Sequence, residues 1–595
     1  MTSPTTEPGT DMREFRYRRL IELGIALSAE RDHNLLMEMI LLGAKELTNA
    51  DGGTLYLTDE TGCELRFEIV RNDSLGIALG GTTGQPVPLP PVRLFDEAGR
   101  PNHQNVSSHA ALSGSTVNIA DAYDTDIFDF TGTEAFDAKN GYRSTSFLTV
   151  PLKNHDADVV GVLQLINARD PSGGTIPFSS DVAPLIEALA SHAAVALDNQ
   201  MLLDAQKDLF KAFIQVLANA IDAKSAYTGG HCRRVPELTN MLARAASAAT
   251  RGPFADFRLS EDEWYALEVA GGLHDCGKVT TPEYVVDKST KLETLYNRLH
   301  EIRMRFEVVK RDVEIAYWKA VAAGGDAAAL AEERNRRLAE IDADYGFVAE
   351  CNLGGEFMAP DKIERLKIIA AVTWQRTLDD DIGLSWEEAH RKPAEKAPLP
   401  ATEFLLADKP EHIIAWDEPT LGEDTSRGFV VKPPPHKFNL GELYNLSVGR
   451  GTLTAEDRFH INDHIVQTIM MLEALPFPKT LKRVPEWAGG HHEKMDGSGY
   501  PKGLTRQQMS VPARIIAIAD IFEALTACDR PYKTPKKLSE CIRIMSFMKK
   551  DNHLDPDLFE LFLTSGVYKQ YAEAFLQPEQ IDEVDIGQYV KTAAQ

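Results

Sequence analysis

The pattern of apolar and polar positions changes character twice along the chain. Between about residues 15 and 50, apolar residues recur at helical spacing and predict two amphipathic helices. Five strand-like runs separated by Gly, Asn and Asp follow: GTLYLTD (53–59), ELRFEIV (64–70), STVNIA (115–120), SFLTVPL (146–152) and VVGVLQLIN (159–167). This order predicts one antiparallel sheet with flanking helices over residues 16–178, after a disordered tail at residues 1–15.

A long helix is predicted next, over residues 179–223. Its apolar residues recur at intervals of three, four and seven: Val182, Ile186, Leu189, Ala193, Ala196, Leu203, Phe210, Ile214 and Leu217. Such a helix could pack on its own domain, or it could be a parallel two-chain connector between an input and an output module. We prefer the connector, and with it a homodimer, because two differently patterned regions meet at this helix.

Beyond residue 223 the pattern is almost entirely helical, so the whole chain is predicted to be a multidomain α+β protein. The helical module, residues 224–296 and 449–595, is interrupted by a predicted insertion at 297–448. The insertion opens with a charged, alanine-rich stretch (310–346) and continues with the proline-rich segments KPAEKAPLP and KPPPHKF. This composition predicts a helical hairpin followed by an irregular half.

Composition narrows the possible partners. The 595 residues include 63 Lys and Arg against 89 Asp and Glu, which gives a formal net charge of −26. Such a surface argues against nucleic acid or an anionic membrane as a partner, although locally concentrated basic residues would still admit a small phosphate-bearing ligand. No apolar run is long enough to span a bilayer, no signal peptide is recognised, and the six cysteines form no CxxC pair. We expect a cytoplasmic protein.

Five histidines and two aspartates stand in conspicuous contexts. They are His231 in YTGGHCRRV, His274 and Asp275 in GGLHDCGKV, His464 in LTAEDRFHINDH, His491 and His492 in WAGGHHEKMDGSGYP, and Asp520 in ARIIAIADIFEALTA. Asp520 lies in a strongly apolar helix, where an unpaired carboxylate would cost roughly several kcal/mol. A divalent cation removes that cost, and so would a hydrogen bond from a neighbouring helix.

The combination of imidazole and carboxylate groups, without thiolate, suits Fe, Mn, Zn, Co or Ni. Seven ligands are too many for one ion and fit two, with an aspartate as the bridge. Two metals about 3.5–4 Å apart can activate a water and hold a phosphodiester oxygen for in-line attack. The pattern therefore predicts metal-assisted hydrolysis of a phosphoester.

These segments resemble the HD-GYP family of HD-domain phosphohydrolases, through YTGGHCRRV, HDCGK, the LT lead-in to His464, HHEKMDGSGYP and ARIIAIADIFEALTACDRPYK. The resemblance implies hydrolysis of cyclic di-GMP to linear pGpG, GMP or both, with two divalent ions, Fe or Mn. It makes the seven residues metal ligands with Asp275 as the bridge, and it places Lys278 beside the scissile phosphate. The residues that it implies for substrate binding are Gly499, Tyr500, Pro501, Arg514, Arg530 and Lys533.

Three points limit what the resemblance implies. Tyr227 stands where members with three metals carry a glutamate, which favours two metals and leaves the final product open. Arg514 could equally neutralise acidic neighbours. The insertion separates HDCGK from His464, and His300 lies nearer the expected place, but His464 has the LT lead-in. The alternatives are a catalytically weak cyclic di-GMP receptor or partner-binding signalling protein, or a hydrolase of another cyclic dinucleotide.

Residues 16–178 resemble a GAF sensory domain, through GSTVNIADAYDTDIFDF, NGYRSTSFLTVPL and DVVGVLQLIN. The resemblance implies regulation by a small molecule such as a cyclic nucleotide. Asn118, Asp121, Phe128 and Tyr142 could line its pocket, or they could simply cap strands and turns.

Overall fold

In a computed structural model of the chain, the described residues are 8–59, 61–224, 230–355, 357–394, 397–416, 425–527 and 535–590. The chain divides into two compact units, residues 1–210 and 211–595. None of the helices within the described ranges combines the length and the apolar character that a membrane-crossing segment requires.

The first unit contains one antiparallel sheet with helices, as the sequence predicts. Its strands follow the order β3-β2-β1-β7-β6-β5, and the short strands β4 and β8 pair with β2 and β7. The elements are α1 (Pro8–Ala29), α2 (His33–Thr48), β1 (Ala50–Thr58), β2 (Glu64–Asn72), β3 (Ile77–Gly80), β4 (Val92–Arg93), α3 (Val106–Ser113), β5 (Val117–Ile119), α4 (Thr131–Asn140), β6 (Phe147–Lys153), β7 (Val159–Arg169), β8 (Thr175–Ile176) and α5 (Ala183–Lys224).

The main core of this unit lies between the sheet and helices α1, α2 and the first turns of α5. Ile40 and Leu41 of α2 pack in one cluster with strand residues such as Leu163 and with Ile186 and Leu189 of α5. This burial explains the apolar repeat at the start of the long helix. Farther along α5, residues 201–209 are all exposed, so this stretch has no such packing.

The second unit is mostly helical. Its elements are α6 (His231–Ala248), α7 (Glu261–Leu273), α8 (Glu283–Val286), α9 (Leu299–Ala322), α10 (Ala327–Asn352), α11 (Pro360–Ala370), β9 (Thr373–Arg376), α12 (Trp386–Arg391), β10 (Ala401–Phe404), β11 (Ile413–Ile414), β12 (Phe438–Asn439), α13 (Glu442–Leu446), α14 (Ala455–Ala474), α15 (Val484–Gly489), α16 (Val511–Thr526), α17 (Leu538–Lys550), α18 (Pro556–Thr564) and α19 (Val567–Phe575). The apolar helix α16 packs against α6, α15 and α17.

The segment predicted as an insertion has its own hydrophobic core. Helices α9 and α10 pack side by side, and the pair Lys310–Asp342 links them at 2.7 Å. Buried residues of both helices join α11 in a single apolar cluster that includes Phe306 and Leu366. The half predicted to be irregular contains helices α11 and α12 and two antiparallel two-stranded sheets, β9 with β10 and β11 with β12.

Phe306→Ala should open this segment locally. The side chain is 3% exposed in the apolar cluster, and truncation of a buried phenylalanine costs about 3–5 kcal/mol. Hydrogen–deuterium exchange over α9 and α10 should show a matching loss of protection. Met304→Ala on the same helix is the control, since Met304 is 63% exposed, and equal effects of the two variants would contradict a packed core.

Candidate metal centre

The seven residues singled out in the sequence come together in the second unit. His231 opens α6, and His274 and Asp275 follow the last residue of α7. The other ligand candidates come from the C-terminal part: His464 from the middle of α14, His491 and His492 from the turn after α15, and Asp520 from α16. Side chains from five places in the chain thus meet at one point.

They form two groups that share Asp275 and have the geometry of candidate metal sites. We call His231, His274, Asp275 and Asp520 the carboxylate-rich cluster. The imidazole-rich cluster consists of Asp275, His464, His491 and His492. Within each cluster the candidate ligand atoms all lie within 4.8 Å of one another.

Each oxygen of Asp275 faces one of the two clusters. Its Oδ2 lies 3.1 Å from His231 Nε2 and 3.3 Å from His274 Nε2, whereas its Oδ1 lies 3.3 Å from His464 Nε2 and 3.9 Å from His491 Nε2. A carboxylate presented in this way can bridge two ions.

Asp520 and His492 complete the two clusters. Asp520 Oδ1 lies 3.3 Å from His231 Nε2 and 3.8 Å from His274 Nε2. In the other cluster, the Nε2 atoms of His492 and His464 are 3.2 Å apart.

Backbone carbonyls orient three of the rings. The Nδ1 atoms of His274 and His491 each bond at 2.7 Å to the carbonyl three residues earlier, and His464 Nδ1 makes the equivalent bond to Ile461. With the proton on Nδ1, each ring presents the lone pair of Nε2 to the cluster, which is the arrangement found in metal-binding histidines.

Several buried polar atoms at the centre have no hydrogen-bond partner. They are Nε2 of His274, Nε2 of His491 and Oδ1 of Asp275. Unsatisfied buried groups are rare in native proteins and call for an explanation. Three of them among the imidazole and carboxylate groups of the two clusters fit divalent cations as the missing partners.

The electrostatics of the two clusters differ. Burial opposes ionisation of Asp275, but Lys278 and the neighbouring histidines outweigh it and hold the pKa of that carboxyl well below its usual range. Burial works against charge at His274 as well, yet the carboxylate of Asp275 raises its pKa to about 9. In the imidazole-rich cluster, burial and the adjacent rings lower the pKa of His491 to about 4 and that of His492 well below its usual value. These two rings are therefore neutral near pH 7, the form in which histidine ligates metals.

Two residues that the sequence analysis missed support His231. Its Nδ1 lies 2.5 Å from Glu523 Oε2, and Glu523 Oε1 accepts a bond of 2.7 Å from Arg234 Nε. The sequence does carry a signal for this contact, because Glu523 stands three residues after Asp520 in the same apolar helix and so projects from nearly the same face.

Lys278 lies beside the shared carboxylate. Its ammonium group donates to Asp275 Oδ2 at 2.5 Å, from the short 3-10 helix Cys276–Thr280, which begins within HDCGK. The glycine of this motif is required by space, because a Cβ on Gly277 would lie 1.9 Å from the carbonyl of His464. The motif thus brings Asp275 and Lys278 directly against α14.

The LT lead-in before His464 also has a structural explanation. Thr454 is the N-cap of α14, where its hydroxyl accepts a bond from the amide of Asp457 while the Asp457 side chain accepts one from the amide of Thr454. This capping box fixes the start of the helix that carries His464. His300, by contrast, is exposed on α9.

The GYP segment lies next to the imidazole-rich cluster. The ring of Tyr500 stacks on that of His492, with centroids 4.9 Å apart and planes inclined by 16°. Gly499 passes so close to its neighbours that a Cβ would lie 2.3 Å from the amide nitrogen of Lys494. The carbonyl of Pro501 accepts a bond of 2.7 Å from the amide of Val430, next to the buried Phe429.

Of the three basic residues predicted to bind substrate, the structure describes one, Arg514. Arg514 is paired with the buried Asp555, which is the neutralising role left open by the sequence. Arg530 and Lys533 lie outside the described residues, as does Tyr227. Their roles stay predictions.

The four residues predicted to line a pocket in the first unit all contact neighbours within their own domain. Their partners are the Phe178 carbonyl for Asn118, the Tyr123 amide for Asp121, the His109 ring for Phe128 and the Asp51 carboxylate for Tyr142. Such contacts are typical of residues that support strands and turns, and a role in ligand binding stays a prediction.

Comparison with known proteins places both units. Residues 32–197 match the family described as GAF domain, and residues 400–558 match the family described as HD domain. The HD match contains His464, His491, His492 and Asp520, whereas His231, His274 and Asp275 precede it.

Curated relatives align with short parts of the chain. A 3'3'-cGAMP-specific phosphodiesterase of Vibrio cholerae is 48% identical over 83 residues, 14% of this chain and 19% of the relative. A cyclic di-GMP phosphodiesterase of Pseudomonas aeruginosa is 43% identical over 79 residues, 13% of this chain and 18% of the relative. One of Thermotoga maritima is 35% identical over 113 residues, 19% of this chain and 30% of the relative. The matches thus span less than a third of each of these relatives.

The motifs and the two family matches agree: residues 32–197 of this chain match the GAF domain family, and residues 400–558, in its helical unit, match the HD domain family.

Proposed function

We propose that this protein is a metal-dependent phosphodiesterase that hydrolyses cyclic di-GMP to pGpG, GMP or both, in bacterial second-messenger signalling. The observation that carries the proposal is the pair of clusters that share Asp275, with unsatisfied ligand atoms turned into both. The relatives named as cyclic dinucleotide phosphodiesterases support the same reaction class.

The seven clustered residues would hold two divalent ions, Fe or Mn. When bound there, the ions supply activation of a water and polarisation of a phosphodiester oxygen. Asp275 holds the two clusters together, because each of its oxygens faces one of them. Lys278, whose ammonium is already at Asp275, stabilises the negative charge that develops on the scissile phosphate.

The GYP segment forms the wall for the nucleotide. The stacked rings of Tyr500 and His492 give a flat surface that suits a guanine base. Gly499 lets the chain pass tightly behind that surface, and Pro501 continues the wall. Arg530 and Lys533 would add local positive charge for the second phosphate on a chain whose net charge is −26.

A second substrate is favoured by a specific finding. Several relatives, including the one that is 48% identical, are named as phosphodiesterases specific for 3'3'-cGAMP. That dinucleotide presents the same phosphodiester to the clusters and differs in one base. The residues that contact the bases, in the wall formed by the GYP segment, would therefore determine which of the two substrates is preferred.

The experiment that tests the proposal combines metal analysis and turnover on one anaerobically purified sample. Elemental analysis should give about two Fe or Mn per chain, and chromatography should show pGpG or GMP formed from cyclic di-GMP. Faster turnover of 3'3'-cGAMP would assign the second substrate. Two metals with tight cyclic di-GMP binding but no turnover of either substrate would overturn the enzyme in favour of a receptor, and absence of metal would overturn the mechanism.

Asp275→Asn should abolish turnover and lower the metal content of both clusters, because one side chain serves both. Turnover should fall by a factor of about 1,000 or more, since the bridging ligand and the partner of Lys278 change together. His300→Ala is the matched control: this histidine lies nearer to HDCGK in the sequence but is exposed on α9. Loss of metal in His300→Ala with retention in Asp275→Asn would reverse the assignment.

The GAF domain would regulate this activity, with α5 as the connector in a homodimer. Val195, Leu202 and Leu209 recur every seven residues along α5, and they are 48%, 58% and 72% exposed. A seven-residue apolar stripe is the signature of a two-chain coiled coil, and a second copy of the same helix supplies the matching stripe. A small molecule such as a cyclic nucleotide is the proposed GAF ligand.

Leu202→Cys and Leu209→Cys should each form a disulfide between two chains, because equivalent residues face each other in a parallel coil. The exposed Cys63 and also Cys528 are changed to Ser in the background. Asp204→Cys, on the opposite side of the helix, should not cross-link. Cross-linking is read by non-reducing electrophoresis, and equal yields at positions 202 and 204 would contradict the parallel connector.

A further inference from the structure

We propose that the two clusters bind metal unequally: the carboxylate-rich cluster fills first, and Glu523 is the positioning residue that gives it the advantage. This inference rests on the metal-dependent function proposed above. It concerns the order and strength of metal binding, which that function leaves open.

Glu523 is built into the site as a buried anchor. Its side chain is 1% exposed, and its two oxygens are divided between His231 Nδ1 at 2.5 Å and Arg234 Nε at 2.7 Å. Because Glu523 and Asp520 stand one turn apart on α16, the same helix supplies a ligand and the anchor of a second ligand. The orientation of His231 is therefore fixed before any ion arrives.

The acceptor at Nδ1 of His231 is chemically different from the acceptors at Nδ1 of His274, His464 and His491. His274, His464 and His491 donate from Nδ1 to backbone carbonyls, whereas His231 is held by a carboxylate. A carboxylate acceptor makes an imidazole a stronger ligand than a neutral carbonyl does. Among the described residues, this is the single ligand histidine of either cluster whose Nδ1 bonds to an acidic side chain.

The number of carboxylate ligands also differs between the two clusters. Asp275 belongs to both, the carboxylate-rich cluster adds Asp520 as a second carboxylate, and the imidazole-rich cluster adds three histidines. A second anionic ligand placed directly at a buried cation site strengthens the attraction for a divalent cation.

Ligand type adds to this difference. Two carboxylates and two imidazoles suit a hard ion such as Mn²⁺, while three imidazoles and one carboxylate suit Fe or Zn better. With Mn²⁺ as the probe, the carboxylate-rich cluster should therefore bind first and the imidazole-rich cluster should bind later and more weakly.

Calorimetric titration of the metal-free full-length protein with Mn²⁺ tests the order. Two resolved steps are expected. Glu523→Gln keeps the shape of the side chain but removes its charge, and it should weaken the tighter step by about 10- to 100-fold while leaving the weaker step unchanged. The readout is affinity, so the test does not depend on turnover.

His492→Ala is the matched control for the other cluster, and it should abolish the weaker step alone. Should Glu523→Gln fail to fold, as judged by its thermal transition, His492→Ala and Asp520→Asn still decide the assignment: loss of the tighter step in His492→Ala would overturn the inference. Two equal steps, or weakening of the second step by Glu523→Gln, would also overturn it and leave the proposed function standing. Absence of Mn²⁺, Fe²⁺ and Zn²⁺ binding altogether would overturn both.

Discussion

The helical unit depends on one buried carboxylate. Asp275 is ionised in a place where burial opposes its charge, and its compensation comes from Lys278 and from rings on both of its sides. A carboxylate buried without such partners would cost several kcal/mol, on the order of the stability of a whole domain. The helices that pack here, α6, α7, α14 and α16, must therefore bring histidine rings to both oxygens of Asp275. This requirement constrains the positions of these helices relative to one another.

The rings around this carboxylate are oriented by the chain itself. Three of them are tied to carbonyls of their own turn, so their direction follows from helix geometry without any long-range contact. His231 differs, because it needs Glu523 from a helix almost 300 residues away in the chain. Local geometry therefore orients His274, His464 and His491, and tertiary packing orients His231.

The sequence predicted the seven clustered residues because their chemistry is unusual for their settings: paired histidines beside glycines, and an aspartate in an apolar helix. It did not predict the contact between His231 and Glu523, since that contact requires knowing which face of α6 packs on α16. The antiparallel sheet was predicted from runs of five or more residues, whereas β3, β4 and β8 are too short to show an alternating pattern. For the same reason, α12 and the short strands β9 to β12 were not predicted in the proline-rich half. The role of Arg514 could not be predicted from the sequence either. A basic residue in a motif does not reveal whether it forms an ion pair with a carboxylate, as Arg514 does with Asp555.

The hydrogen bond from the amide of Val430 to the carbonyl of Pro501 limits how residues 297–448 can be removed or exchanged by protein engineering. The predicted insertion contacts the GYP segment through its own backbone, and Phe429 packs against the helix that carries His464. Removal of residues 297–448 would take away the amide of Val430, the donor to the carbonyl of Pro501. No side-chain substitution elsewhere restores a backbone donor at that place. A chimera that exchanges this segment between homologous proteins should therefore place its C-terminal junction before Phe429, so that Phe429 and Val430 are retained.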